Sequence, residues 1–173
     1  MELKMKWNKL YKYPKSSRSL IEGSRHYDVS NEVLPSVTTI LQATQSAEKI
    51  ASLAKWRERE GAEKADSIRD QAARRGTAMH THLEKFLLGT GYKDLTDEGQ
   101  VASDMAQAII DKGLNKNLAE IWGSEVMVYY PGLYAGATDL VGVYDYEDSI
   151  VDFKQSNKPK RREWIDDYFM QLA

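Results

Sequence analysis

The 173-residue sequence contains no cysteine, and this absence excludes several classes of site. Without thiols there is no disulfide framework, no cysteine-ligated zinc and no thiolate-held iron–sulfur cluster, so any metal must be bound by histidine and carboxylates. No apolar run approaches the roughly 18–20 residues of a membrane span, and the N-terminus lacks the hydrophobic core of a secretory signal. We therefore expect one soluble, cytoplasmic domain with no membrane partner.

An excess of charge of one sign is also lacking, because 24 Lys and Arg residues face 26 Asp and Glu residues. The distribution is nevertheless uneven. Residues 1–18 carry six cations and one acid, and residues 154–162 carry five cations and no acid. Basic ends interleaved with aromatic residues suit phosphate contacts and base stacking on single-stranded nucleic acid. Solvated lysine-rich termini are the alternative, and composition alone favours that interpretation.

The periodicity of apolar residues changes along the chain and indicates the fold class. Residues 1–33 lack a helical period and are expected to form an irregular basic and aromatic arm with at most short strands. Helical spacing then gives way to alternation, which predicts an antiparallel meander and a mixed α/β or α+β fold with a mostly helical N-terminal half. The predicted helices begin at Ser36 and cover about 47–60, 62–88, 97–112 and 160 onward, and the predicted strands cover 122–130, 133–144 and 149–153.

Two acids and a lysine on the last two predicted strands are candidates for chemistry. Asp152 and Lys154 project from the same face of one strand, and Asp139 lies on the preceding strand. A two-residue turn at Tyr146-Glu147 would place Asp139 opposite Lys154 and diagonal to Asp152. Hard cations such as Mg²⁺ prefer carboxylate oxygens, and a neighbouring lysine can orient or deprotonate water, which together suit phosphodiester hydrolysis. A structural ion pair is the alternative for an isolated Asp-x-Lys.

A histidine on the long predicted helix is a further candidate. His80 and Glu84 share one helical face, whereas His82 points well away from both. A helical histidine can add a nitrogen ligand to a carboxylate site, and Mn²⁺ tolerates that mixture. A packed or surface histidine is the alternative. Glu125 shares a strand face with Met127 and Tyr129, and this parity alone does not show whether that face is inward or outward.

The order of several short motifs resembles that of a known superfamily. The segments LPSVTTIL, RRGTAMHTHLE, GSEVMVYY, YAGATDLVGVYDY, IVDFKQS and YFMQLA follow one another from about Tyr27 to the last residue. This succession is similar to the RecB-like branch of the PD-(D/E)XK nucleases, in particular the mitochondrial genome maintenance exonucleases and their bacteriophage relatives. The resemblance implies a restriction-endonuclease-like core with a short central sheet flanked by helices. It also implies a single nuclease domain over residues 34–173 that stops within its last helix.

The resemblance also assigns roles to individual residues. It implies that catalysis depends on His80, Asp139, Asp152 and Lys154. The implied metal ligands are His80, Asp139 and Asp152, with the backbone carbonyl of Phe153 and the side chain of Glu125 as further candidates. Candidate nucleic-acid contacts are Lys158, Lys160, Arg161 and Arg162 in the basic stretch over residues 154–162, together with Ser156 and Gln171. Two departures from the family pattern stand out: Gln155 replaces a small hydroxyl residue, and the tyrosine expected four residues after Gln171 is absent.

The activity implied by the resemblance is a Mg²⁺- or Mn²⁺-dependent exonuclease without an iron–sulfur cluster. Its expected substrate is linear DNA with free ends, preferentially single-stranded. A bacterial or phage-infected cell is the expected setting, and the mitochondrial matrix is less favoured. Two alternatives stay open: a structure-specific endonuclease with the same core, and a catalytically silent module that binds single-stranded DNA. The carboxylates count against the silent module because they repel phosphate.

Overall fold

The computed structural model of the protein describes residues 6–156 and 159–173, with Trp164 described by its backbone alone. The predicted α+β fold is confirmed: a run of helices in the first half is followed by a meander of strands. None of the helices within the described ranges is long and apolar enough to cross a membrane.

The helices begin and end close to the positions that their sequence signals predict. The Ser36 hydroxyl accepts a hydrogen bond from the Thr39 N–H at 3.0 Å and so caps the first helix, as expected for serine at this position. Gly61, with φ at 84°, separates the second helix from the third. The bounds are α1 Val37–Ala43, α2 Ala47–Glu60, α3 Ala62–Leu87, α4 Asp97–Ile109, α5 Asn115–Asn117 and α6 Asp166–Leu172.

Two predicted helices differ from the structure in their bounds. The helix predicted over 97–112 ends at Ile109, and a π-helical turn over Ile110–Leu114 carries the chain through Gly113. The helix predicted from Lys160 onward is divided into a 3-10 turn over Arg162–Trp164 and α6. In the described residues, neither segment has a side-chain cap at its start, so no sequence signal marked these boundaries.

The strands form two separate sheets. A four-stranded sheet has the order β1-β5-β6-β7, with β1 parallel to β5 and the remaining pairs antiparallel, which confirms the predicted meander. A three-stranded antiparallel sheet has the order β2-β3-β4. The bounds are β1 Lys6–Trp7, β2 Ser16–Ile21, β3 Ser24–Val29, β4 Glu32–Pro35, β5 Leu118–Tyr130, β6 Tyr134–Tyr144 and β7 Glu147–Val151.

Residues 16–35 form the whole of the second sheet, with strands of four to six residues. The arm expected over residues 1–33 thus contains short strands, as the expectation allowed, but they pair into a regular sheet. Tight turns at Glu22-Gly23 and Ser30-Asn31 have positive φ at each residue, a backbone geometry that joins antiparallel strands. The sheet buries Tyr27, Val29 and Leu34 against β5 and β6. In β3 the buried Tyr27 and Val29 alternate with polar residues, a pattern in the sequence that indicates a strand. The domain boundary between residues 33 and 34 stays a prediction.

The turn between β6 and β7 lies one residue earlier than predicted. Asp145 and Tyr146 have φ of 51° and 67°, the left-handed geometry of a two-residue hairpin loop. The register pairs Tyr144 with Glu147 and Leu140 with Val151. Continued by one residue, this register places Asp139 opposite Asp152, so the predicted pairing of Asp139 with Lys154 is wrong.

The main hydrophobic core lies between the larger sheet and the paired helices α3 and α4. The second half of α3 buries Met79, Leu83 and Leu87. Phe153 points into the same core, as the alternation around Asp152 predicts. The core therefore fixes the second half of α3 over the strands that carry the acidic residues. The other buried members are Ala102, Ala106, Ile110, Leu114, Leu118, Ile121 and Leu140.

We expect Leu83→Ala to destabilise the protein by about 2–5 kcal/mol, because it removes a fully buried side chain and leaves a cavity. Urea unfolding followed by circular dichroism measures the change in the free energy of unfolding. Leu95→Ala is the matched control, since Leu95 is 84% exposed, and it should change stability by less than about 0.5 kcal/mol. Equal effects of the two substitutions would contradict this description of the core.

Candidate metal centre

Three acidic residues lie in one row across the larger sheet. The strand pairs that flank Glu125 place it opposite Asp139, and the register of the next hairpin places Asp139 opposite Asp152. Residues directly opposite one another on antiparallel strands have Cβ atoms about 4.5–5.5 Å apart. Three adjacent strands thus bring three carboxylates to one level of the sheet, although the acids are far apart in sequence.

Glu125 reaches this row through an unusual backbone conformation. Its φ is 51°, in the left-handed region that residues other than glycine, asparagine and aspartate rarely occupy. Such a conformation costs about 1–3 kcal/mol and persists only where the surrounding structure enforces it. It also interrupts the alternation of β5, and Glu125 is exposed whereas Met127 is buried. Parity along the strand therefore did not fix the direction of the Glu125 carboxylate.

α3 adds an imidazole to the acidic row. His80 Nδ1 lies 3.3 Å from Asp139 Oδ1 and 3.9 Å from Glu125 Oε1. One ligand atom from each of these three residues lies within 4.8 Å of the other two, a spacing that suits a shared cation. His82 is buried on another side of α3, with its ring edge-on to Tyr92 at 4.8 Å. The different directions predicted for His80 and His82 are thereby confirmed.

The two carboxylates strongly favour the protonated form of His80. The hydrogen bond to Asp139, followed by the hydrogen bond to Glu125, raises the pKa of His80 to about 10 despite the opposing effect of burial. Without a bound cation, an imidazolium therefore balances the carboxylate charge at neutral pH. A metal ligand must be the neutral imidazole, so cation binding and loss of this proton are coupled.

Asp152 lies in the same cavity but makes different contacts. Lys154 Nζ is 2.6 Å from Asp152 Oδ2, and Gln171 Nε2 donates to Asp152 Oδ1 at 3.2 Å. Burial raises the pKa of Asp152, and the hydrogen bond from Lys154 opposes that shift. Asp152 does not belong to the group formed by His80, Glu125 and Asp139. Its predicted role as a direct metal ligand stays a prediction, as does the catalytic role of Lys154.

The segment that follows β7 is held by Asp139 through the backbone. The N–H of Phe153 donates to Asp139 Oδ2 at 2.6 Å, while the other Asp139 oxygen faces His80. The backbone group of Phe153 that contacts the acidic row is thus its N–H. The role predicted for the Phe153 carbonyl as a metal ligand is neither supported nor contradicted by this contact and stays a prediction.

Two members of the acidic row, Asp139 and Asp152, line a cavity of about 300 Å³, whereas Glu125 lines a second pocket. Lys154, Arg25 from β3 and Thr38 from the start of α1 line the same cavity as the two aspartates. In the described part of the chain, the Arg25 side chain has no ion pair or hydrogen bond. The cavity therefore contains both carboxylates and cationic side chains, an arrangement suited to a phosphate-containing ligand held near a metal. Sequence reasoning missed Arg25, which no motif marks.

Gln155 connects the site to α3, which the sequence alone could not show. Arg75 Nε donates to Gln155 Oε1 at 2.7 Å, and Gln155 Nε2 donates to the Ala72 carbonyl at 2.5 Å. A Cβ added at Gly76 would lie 3.5 Å from Gln155 Nε2, so a residue without a side chain lets the amide pack against the helix. Gln155 thus links the segment after β7 to the helix that carries His80.

The residues predicted to contact nucleic acid have varied surroundings. Lys160 is exposed, and Gln171 is bonded to Asp152. Arg162 Nη1 lies 2.5 Å from Asp166 Oδ1, and its guanidinium lies over the Phe169 ring. The other members of the set are Arg161, whose Nη1 lies 4.0 Å from Glu163, Ser156, which is exposed, and Lys158, which lies outside the described residues. Their roles on nucleic acid stay predictions.

We expect Asp139→Asn to weaken Mn²⁺ binding at least about tenfold, because it removes the charge of the central ligand while keeping an oxygen that can accept the Phe153 N–H. Isothermal titration of Mn²⁺ into the purified variant measures the affinity. Asp148→Asn, at an exposed position on the same hairpin, is the control and should bind like the unmodified protein. Unchanged binding by Asp139→Asn would show that the cluster of three residues does not hold the ion.

Comparison with known proteins gives a limited but consistent result. No model of a known protein family matches the chain. Over 137 residues the chain is 26% identical to human mitochondrial genome maintenance exonuclease 1. The match covers 76% of this chain and 39% of the relative, so the chain spans about two-fifths of the length of the relative it matches. This similarity supports a relationship between the chain and a nuclease.

Proposed function

We propose that the protein is a divalent-metal-dependent DNA exonuclease of the RecB-like PD-(D/E)XK type. The observation that carries the proposal is the convergence of His80, Glu125 and Asp139. Two of these residues, His80 and Asp139, also line one cavity with the Asp152–Lys154 pair. The similarity to a protein named as an exonuclease supports the same reaction class. The geometry of the site follows from the strand register and the position of α3, whereas the similarity is a comparison of sequences. The two observations therefore support the proposal separately.

The donor set fits Mg²⁺ or Mn²⁺. Carboxylate oxygens are the preferred ligands of both ions, and a single imidazole is compatible with Mn²⁺ in particular. His80, Glu125 and Asp139 would hold the ion, with Asp152 on the adjoining side of the cavity. When bound, such an ion neutralises phosphate charge and makes water more acidic.

The side chains of the chain itself would orient the reacting groups. Lys154 is held by Asp152 in the cavity, so its ammonium can donate to the attacking water or to a phosphate oxygen as negative charge develops. Arg25, which lines the same cavity, is available to a second phosphate oxygen. Asp139 keeps the segment that carries Lys154 in place through the Phe153 N–H. The proposed reaction needs no nucleophilic side chain.

We expect the purified protein to degrade linear single-stranded DNA with Mg²⁺ or Mn²⁺ and to stop when EDTA is added, because the donor set implies a metal-assisted reaction. Gel electrophoresis of an end-labelled oligonucleotide measures the loss. Closed circular single-stranded DNA should stay intact, since an exonuclease needs an end. Cleavage in EDTA would exclude the metal mechanism, and cleavage of the circle would indicate an endonuclease.

We expect Lys154→Ala to lower kcat about a hundred- to a thousandfold, the usual loss when a group that stabilises transition-state charge is removed. Mn²⁺ affinity should change little, because a protonated lysine has no lone pair for a metal. Single-turnover digestion gives the rate, and titration of Mn²⁺ gives the affinity. Lys112→Ala, at an exposed lysine on the π-helical turn, is the control. A normal digestion rate for Lys154→Ala would reduce the Asp152–Lys154 contact to a structural ion pair.

A further inference from the structure

A stretch near the N-terminus has cations that nothing in the described chain neutralises. Lys9, Lys12, Lys15 and Arg18 are exposed, and residues 6–21 contain no acid. In the ranges that the structure covers, none of these four cations has an ion pair, hydrogen bond or ring contact. By contrast, Arg57, with its two hydrogen bonds to Asp66, is typical of the paired cations on α2 and α3. We call residues 9–18 the basic segment.

The basic segment is anchored to the body of the protein on its N-terminal side. Trp7 Nε1 donates to the Leu87 carbonyl at 2.8 Å, which ties β1 to the end of α3. The Asn8 N–H donates to the Ile121 carbonyl at 2.9 Å, and the Asn8 amide donates to Glu120 Oε2 at 3.1 Å. The cations that follow therefore occupy a defined place beside β5.

That place borders the candidate metal centre. A Cβ added at Gly123 would lie 2.7 Å from Tyr13 Cε2, so the Tyr13 ring packs directly on the backbone of β5. Gly123 is only two residues before Glu125 in the same strand. Tyr13 is half-buried there, and burial raises the pKa of its hydroxyl. The basic segment therefore packs on β5 two residues from Glu125, a member of the candidate metal centre.

An exposed aromatic ring lies at the centre of the basic segment. Tyr11 is 53% exposed, and its ring is braced edge-on by Trp122 at 5.7 Å and by Tyr13 at 6.4 Å between centroids. A braced ring loses little freedom when a planar group stacks on it. Lys9 and Lys12 lie on either side of Tyr11 in sequence. Alternating cations and an aromatic ring match the alternation of phosphates and bases along a single strand.

We propose that the basic segment binds single-stranded nucleic acid next to the metal centre, with a base stacked on Tyr11 and phosphates at Lys9, Lys12 and Lys15. The proposal rests on the proposed function, because the metal centre supplies the strand that the segment would hold. A duplex hides the faces of its bases, so the Tyr11 contact selects unpaired nucleotides. The strand preference would then arise partly from a surface outside the catalytic cavity.

The stacking contact is tested with fluorescence anisotropy on a labelled oligothymidine in EDTA, where no cleavage is expected. Tyr11→Ala should weaken binding about five- to a hundredfold, the usual range for loss of one base–aromatic stack, whereas Tyr11→Phe should bind within about twofold of the unmodified protein. Tyr146→Ala is the matched control, because Tyr146 is 92% exposed on the β6–β7 turn. Thermal melting checks that Tyr11→Ala remains folded, and Tyr11→Phe keeps the packing against Trp122.

The phosphate contacts are tested by the salt dependence of the same binding. The double variant Lys9→Gln/Lys12→Gln should reduce the slope of log K against log salt by about 1.4, since each phosphate contact on a single strand contributes about 0.7. Lys112→Gln/Lys116→Gln removes two exposed lysines near the start of β5 and should leave the slope unchanged. These lysine variants leave the aromatic packing intact, so a misfolded protein would not explain their effect.

The outcomes separate this proposal from the proposed function. Unchanged affinity for Tyr11→Ala together with an unchanged slope for the lysine pair overturns the proposal, while metal-dependent cleavage by the same variants leaves the nuclease intact. Equal losses on single-stranded and duplex DNA would overturn the stacking role of Tyr11. Tight binding of polyglutamate that Tyr11→Ala does not weaken would identify an acidic protein as the partner and also overturn it.

Discussion

The two oxygens of Asp139 link the two layers of the fold, and the geometry of the site depends on this link. One oxygen holds the backbone of the segment after β7 through the Phe153 N–H, and the other faces His80 on α3. Asp139 is itself nearly buried in the middle strand, so its carboxylate must be satisfied by such partners. Because β6 pairs with β5 on one side and β7 on the other, its register also fixes the positions of Glu125 and Asp152. A shift of one residue in the register of either hairpin would separate the three carboxylates.

The sequence predicted the elements whose signals are local. Helices α1 and α2 begin at serine caps and have apolar residues at helical spacing, and the meander follows from alternation, so both could be read from short windows. The site residues His80, Asp139, Asp152 and Lys154 came from their motifs, and the structure brings all four to one cavity. What the sequence could not supply was the exact position of a turn, because Asp145-Tyr146-Glu147 contains no glycine or asparagine to mark the left-handed residues.

Contacts between distant segments were also beyond sequence reasoning. Gln155 meets Arg75 and Ala72 across 80 and 83 residues, and Tyr13 meets Gly123 across more than 100 positions. Such contacts depend on how the layers pack, which no local pattern encodes. The left-handed backbone at Glu125 is similar, since a glutamate in a strand gives no sign of positive φ. Glu125 belongs to the candidate metal centre, and local preference commonly yields to function at such sites. Gln155 packs against the helix that carries His80.

The two edge strands of the larger sheet affect the tendency of the protein to self-associate. An open strand edge offers unpaired N–H and C=O groups to any other strand, and long flat edges promote aggregation. Within the described residues, one edge is β1, with two residues, and the other is β7, five residues that begin with Glu147 and Asp148. A second copy that paired with β7 would place its own Glu147 and Asp148 near those of the first copy. These carboxylates would repel one another and would lose contact with water. The acids at the start of β7 therefore disfavour pairing of this edge with a second copy of the chain.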